Sequence, residues 1–198
     1  MNPILIDFPE QFETERLLMR CPMPGDGQVV ADAIRESFDS LHTWLNWAEH
    51  VPSLEESEER ARISRVRFLM REDLQFHLFE KSSGRFIGST GLHRMNWRLR
   101  GFEIGYWLRD SERGKGYMTE AVAGLTKFAV DFLEANRIEI RCDVRNVTSR
   151  KVAERCGYHL EAIMLNNFVD PQGQIRDDCL YVQVRLDDGR FGYPKSTE

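Results

Sequence analysis

The sequence predicts an α/β domain built on a mixed, mostly antiparallel sheet, and three observations carry the prediction. Extended runs follow one another from Leu74 to Arg109, as in a meander; a strand-helix-strand unit follows between Phe102 and Val144; and the composition is that of a globular protein. The 198 residues hold 27 Lys and Arg against 32 Asp and Glu, a formal net charge of −5, with 41% hydrophobic and 30% charged residues. Such a chain buries one substantial core and covers it, which suits a single domain over 1–198 and excludes disordered, collagen-like and coiled-coil readings.

The first extended run, Arg16–Arg20, ends at the turn-forming CPMPGDG of 21–27. Apolar residues Val30, Ala33, Ile34, Phe38, Leu41 and Leu45 then recur at helical spacing, predicting one helix from Gln28 to Ala48. A second helix, Ser53–Arg71, opens with the capping box Ser53/Glu56; Glu56/Arg60 and Glu58/Arg62 sit at ion-pair spacing, so its charge reads as a solvated face. Leu74–Lys81 and Arg85–Met95 form a hairpin around Ser82–Gly84. Phe102–Arg109 adds a third strand, with Phe102, Ile104, Tyr106 and Leu108 on one face and Glu103, Gly105 and Trp107 on the other. A helix at Thr119–Ala135 leads to a strand at Arg137–Val144, a short helix at Val147–Cys156 stops at Gly157, and strands Tyr158–Leu165 and Asp178–Leu186 flank the turn Asp170–Gly173. The total is about seven strands and about four helices, with 187–198 as a C-terminal tail.

No apolar run approaches the ~18 residues of a membrane span, and MNPILIDFPEQ lacks the basic and then apolar regions of an export signal, so a cytoplasmic location without membrane association is expected. Cys21, Cys142, Cys156 and Cys179 form no CxxC, which suits reduced thiols and no metal site. Mild acidity argues against nucleic acid as a partner and favours a cationic one such as an amine.

The chemistry concentrates in Arg113–Gly114–Lys115–Gly116–Tyr117–Met118, between the strand ending near Arg109 and the following helix. Two glycines let a ligand approach the backbone, the helix start offers free N–H groups, and Arg113 and Lys115 add positive charge, so the segment is built for an anion such as phosphate. GxxxxGK[ST] and GxGxxG are both absent, which disfavours ATP and NAD. The plain alternative is that the glycines only make the turn.

This loop resembles motif A of the GNAT acetyltransferase superfamily, [RQ]-x-x-G-x-[GA], matched at Arg113 and Gly116; Met118 departs from the last position, as in the ribosomal-protein N-acetyltransferase (Rim-type) branch. Glu103–Leu108 (EIGYWL) resembles the family's thioester-presenting strand. Asn146, three residues before Ser149 and eleven before Gly157–Tyr158, resembles the Asn-x-x-[Ala/Ser]…Gly-[Phe/Tyr] segment, and Gly173–Asp177 with Tyr181 resembles the same branch's ending. The resemblance spans about 14–186.

It implies an acetyl-CoA-dependent N-acetyltransferase that binds its cosubstrate through Trp107, Leu108, Arg113, Gly114, Lys115, Gly116, Tyr117, Met118, Thr119, Asn146 and Ser149. Glu103 is the implied base, or else an ordinary strand glutamate; the backbone N–H near Leu108 is the implied oxyanion donor. The family's usual acid, a tyrosine seven residues after the asparagine, is Ala153 here, so Ser149 takes that role or is only a helix-start serine. Asn146 holds the pantetheine amide, caps a helix, or does both. Trp44 and Trp47, with His42, Glu49 and His50, are candidates to line an acceptor pocket, although aromatic residues at helical spacing also serve as core. His77, His93 and His159 are assigned no role, and no metal is expected. The acceptor is a protein N-terminal amine or a small amine such as a polyamine, amino sugar or antibiotic. A non-catalytic coenzyme A binder is the contrasting reading, and a homodimer is left open.

Overall fold

The computed structural model describes residues 2–194. Its strands are β1 (Gln11–Glu13), β2 (Leu17–Arg20), β3 (Leu74–Glu80), β4 (Phe86–Asn96), β5 (Gly101–Leu108), β6 (Arg137–Asp143), β7 (His159–Val169), β8 (Ile175–Arg185) and β9 (Phe191–Gly192). The helices are α1 (Gly27–Glu36), α2 (Phe38–Trp44), α3 (Leu54–Leu69), α4 (Tyr117–Leu133) and α5 (Val147–Arg155). One sheet runs in the order β1-β2-β3-β4-β5-β6-β8-β7, with β9 on β8. Among the described residues β5 and β6 are the only parallel neighbours. The mixed, mostly antiparallel class is therefore as predicted.

Two strands exceed the predicted number because β1 and β9, three and two residues long, are too short to show alternation. β9 lies inside the expected tail 187–198, whose last four residues fall outside the described ones. The predicted helix 28–48 is two helices, α1 and α2, broken at Ser37 (φ −111°, ψ 11°). Ser37 is fully buried, and its hydroxyl accepts from the Asp110 N–H at 3.0 Å, a bond that accompanies the departure from helical geometry without disturbing the apolar period.

Strand alternation divides the sheet faces. Met19, Phe76 and Leu78 point toward α4, whose Ala121, Val122, Leu125, Phe128 and Ala129 complete the core; Phe76 meets Phe128 edge-on at 5.3 Å. Each fully buried side chain of this size contributes about 1.5–3 kcal/mol. Arg20, Gln75 and His77 point the other way, toward α1 and α3. The long β7–β8 hairpin folds back on the end of α2, where Asn46 Nδ2 donates to Val169 O at 2.9 Å and Gln172 Nε2 to His42 O at 3.3 Å. No helix among the described residues is long and apolar enough to cross a membrane, and all four cysteines are free thiols.

Candidate active site

The loop at the start of α4 presents a row of backbone hydrogen-bond donors. Gly114 and Gly116 take φ +75° and +82°, a conformation that glycine adopts without strain. None of the amides from Gly114 to Thr119 donates to a partner among the described residues, and they stand at the positive end of a 17-residue helix. Arg16 clamps the loop: NH1 donates to Lys115 O at 2.9 Å, Nε pairs with Glu120 at 2.7 Å, and the guanidinium covers the Tyr117 ring at 4.4 Å. Arg113 and Lys115 pair with Asp110 and Glu112, each at 2.8 Å. The backbone amides are thus the free groups of the loop.

β5 and β6 pair only at Gly101–Glu103 and then part. Arg109 N donates to Ile87 O at 2.9 Å, so by strand alternation the N–H groups of Tyr106 and Leu108 point away from β4, into the opening. Across that opening the Tyr106 hydroxyl meets Ser149 Oγ at 2.9 Å and donates to Ser149 O at 3.1 Å. Burial pushes the Tyr106 pKa well above its ordinary value, while the Ser149 bond pulls the other way. Asn146 caps α5, its Oδ1 accepting from Ser149 N at 3.1 Å, and Asn146 Nδ2 has no partner among the described residues. Burial also pushes the neighbouring Cys142 thiol up to about 12.

On the opposite face a cavity of about 510 Å³ lies between α1, α3 and strands β3–β5. Trp47, Trp107, Val30, Ile34 and Leu45 supply its apolar side, and the Trp47 and Trp107 rings lie 6.0 Å apart. Two imidazoles line it. His93 Nδ1 bonds the Asp73 carboxylate at 2.6 Å, which selects the tautomer protonated at Nδ1 and leaves a lone pair on Nε2. Its ring lies over the paired glycines Gly91 and Gly105, which make room for it. His77 Nδ1 bonds Asp26 at 2.9 Å, and Asp26 in turn holds Arg20 at 2.6 and 2.8 Å. Burial works against the Asp26 charge, yet its bonds to Arg20, His77 and Met23 N hold its pKa well below the usual carboxylate range.

The loop residues, Trp107, Leu108, Asn146 and Ser149 fall around the opening and its two faces. Glu103 stands apart. It faces Arg141 at 3.2 Å and Arg94 at 3.5 Å, and it is not among the cavity's lining residues. Burial raises its pKa and the two arginines lower it, with a net rise. Trp44 and Trp47 do not share a helix face, because α2 ends at Trp44. Trp47 lines the cavity, whereas Trp44 lies under Arg145 (5.7 Å), and His42, Glu49 and His50 do not line it. The sequence reading missed His93 with Asp73, twenty residues apart and brought together by the pairing of β3 with β4, and it missed the Tyr106 hydroxyl.

A profile of the Acetyltransferase (GNAT) domain matches residues 16–159. The Bacillus subtilis (strain 168) protein YdaF is 32% identical over 147 residues, covering 73% of this chain and 78% of that one. The Escherichia coli (strain K12) ribosomal-protein-serine acetyltransferase is 29% identical over 126 residues, covering 62% and 69%. Among solved structures, RimL, the ribosomal L7/L12 α-N-protein acetyltransferase in complex with coenzyme A, superposes with a TM-score of 0.83 at 21% identity, covering 88% of this chain and 98% of its own. The microcin C7 self-immunity acetyltransferase MccE, in complex with acetyl-CoA and AMP, gives 0.82 at 21% identity, covering 89% and 97%. Those two likenesses establish the fold.

Proposed function

Because the chain belongs to the GNAT acetyltransferase family, we propose that it transfers acetyl from acetyl-CoA to a primary amine, with a protein N-terminal α-amine as the acceptor suggested by its ribosomal-protein acetyltransferase relatives. The observation that carries the cosubstrate is the run of unbonded amides at Gly114–Thr119 beside the opened edge of β5. These amides and the α4 dipole suit a pyrophosphate, and the free edge of β5 suits the amide groups of an extended pantetheine arm. Asn146 serves both as cap and, through Nδ2, as a donor to that arm.

When bound, acetyl-CoA supplies a thioester carbonyl open to attack and a thiolate that departs. The acceptor amine enters from the cavity face. His93 Nε2 takes its proton, and Asp73 keeps the imidazole in the accepting tautomer. We place the base here rather than at Glu103, which faces two arginines outside the cavity. An α-amine, with an ordinary pKa of about 7.7–8.0, needs less help than a lysine amine at about 10.4. The Tyr106 and Leu108 amides are the fixed donors available to a developing oxyanion. Ser149 Oγ and the Tyr106 hydroxyl hold a proton on the far side of the opening, and burial keeps Tyr106 protonated.

The test is the melting temperature with excess acetyl-CoA, ATP or NAD, followed by thiol release with N-terminal peptides and small amines. A shift selective for acetyl-CoA and amine-dependent thiol release are expected. Without the shift the cosubstrate assignment falls; a shift without thiol release from any amine leaves a coenzyme A binder.

A further inference from the structure

The chain is acidic overall, yet the wall of its acceptor cavity is not. Among the described residues that line it there is no Asp or Glu, whereas Arg60 and Arg67 of α3 are present. Neither guanidinium makes an ion pair or hydrogen bond among the described residues, although those of other arginines of the same helix do: Arg62 pairs with Glu58 at 2.7 Å and Arg65 with Glu10 at 3.1 Å. Glu56, at the right spacing for Arg60, accepts from Ser53 N and pairs with His50. The predicted Glu56/Arg60 pair is therefore absent, and Arg60 and Arg67, both solvent-exposed, line the open side of the cavity.

Ser57, 1% exposed, packs behind this wall, and its Oγ has neither accessible surface nor a hydrogen-bond partner among the described residues. Residues 60, 64 and 67 fall on one helix face, and all three line the cavity. Arg60 and Arg67 stand about 10 Å apart along the axis, two turns of helix. The carboxylates just behind the wall are engaged, Asp26 by Arg20 and His77, and Asp73 by His93. An acceptor that was only a cation would meet two unpaired guanidinium groups and no countercharge.

Building on the acetyltransferase reading, we infer that the acceptor is an amine that also bears an anionic group, a carboxylate or phosphate, held by Arg60 and Arg67 while its amine reaches His93. Arginine suits this role because its planar fork matches both oxyanions. The volume of about 510 Å³ accommodates a small molecule or the first residues of a peptide.

Calorimetric titration of the protein saturated with coenzyme A tests this through binding, without turnover. The probes are pairs differing only in the anion: phosphoethanolamine and ethanolamine, leucine and leucinamide, and amidated Ala-Asp-Leu and Ala-Asn-Leu. In at least one pair the anionic member should bind at least tenfold more tightly. In R60Q/R67Q that preference should fall below threefold, with the neutral member's affinity and coenzyme A affinity unchanged. The responding pair tells phosphate from carboxylate and a free small molecule from a peptide. Equal or tighter binding of every neutral member, no binding by any probe, or a preference that survives R60Q/R67Q overturns the inference. Thiol release from acetyl-CoA is read separately: anion-dependent binding without release keeps the anion site and removes the transferase reading.

Discussion

The imidazole of His93 occupies the space that a side chain at Gly105 would fill: a Cβ there would meet Cδ2 at 2.9 Å and Nε2 at 3.1 Å. The glycine of the EIGYWL strand therefore seats the imidazole proposed as proton acceptor. G105A should displace the ring and lower kcat at least tenfold while leaving coenzyme A affinity within twofold. H93Q should lower kcat by about 10²–10⁴, the usual range for a general base. D73N, which removes the carboxylate that fixes the tautomer, should give a smaller loss and a displaced pH–rate profile. Wild-type kcat in H93Q would return the base role to Glu103 or to water.

Gly116 caps α4 at φ +82° and ψ 0°, and a Cβ there would approach Arg16 NH2 to 3.4 Å. Any L-residue in that conformation costs about 1–2 kcal/mol, and a branched one also crowds the free amides. G116V should weaken coenzyme A binding at least tenfold by calorimetry, with a loss of only a few degrees in Tm. Gly114, where a Cβ meets nothing within 4 Å, gives the contrast: G114A should carry backbone strain with a smaller loss of affinity. Equal affinities across wild type, G114A and G116V would remove the loop from the cosubstrate site.

Local signals in the sequence located much of this architecture. Ser53 and Glu56 form the predicted capping box, with bonds of 3.1 and 2.7 Å. The loop 113–118 opens a helix as expected, and Asn146 is an N-cap. What stayed hidden depends on register and competition. Asp73 and His93 are twenty residues apart and meet only because β3 and β4 pair as they do. Spacing alone gives Arg60 a partner in Glu56, but the cap and His50 take that carboxylate. Tyr106 falls on the apolar face of its strand by alternation, and its hydroxyl finds Ser149 only because β5 and β6 separate.

The Ser149 and Tyr106 hydroxyls bond to each other at 2.9 Å, so their roles separate by comparing variants. If Ser149 Oγ supplies the proton to the departing thiolate, S149A should lower kcat about 10²-fold, with KM for acetyl-CoA changed less than threefold. Y106F keeps the ring and removes the hydroxyl that meets Ser149 Oγ and O. Its loss should be smaller, and S149A/Y106F should lose little beyond S149A alone, the non-additive result expected of residues acting as a unit. Multiplying losses would show that the two hydroxyls act independently.

His77 and Asp26 set a pH dependence of stability separate from the chemistry. Burial holds the His77 pKa below its ordinary value despite the Asp26 carboxylate, so the unfolded chain binds a proton more readily than the native protein does. Its stabilising contribution is complete above the ordinary histidine pKa of about 6.5 and drains as the pH falls below it. Asp26, held well below the usual carboxylate range against the cost of burial, has the same sign in a lower window: its contribution is complete above about pH 3.9 and is lost on further acidification. Thermal melts of wild type should thus show Tm falling between pH 7.5 and 5, and falling again below pH 4. H77N, which keeps a polar partner for Asp26 but cannot titrate, should flatten the first fall and keep the second. D26N should lower Tm at neutral pH, leaving Arg20 without its paired charge, and should make the second fall shallower, the remainder coming from other carboxylates held low, among them Glu120, Asp143 and Asp170. Were wild type instead to gain stability relative to H77N on moving from pH 7.5 to 5, the imidazole would be protonated against Asp26 in the native state, and attraction within the pair would outweigh burial.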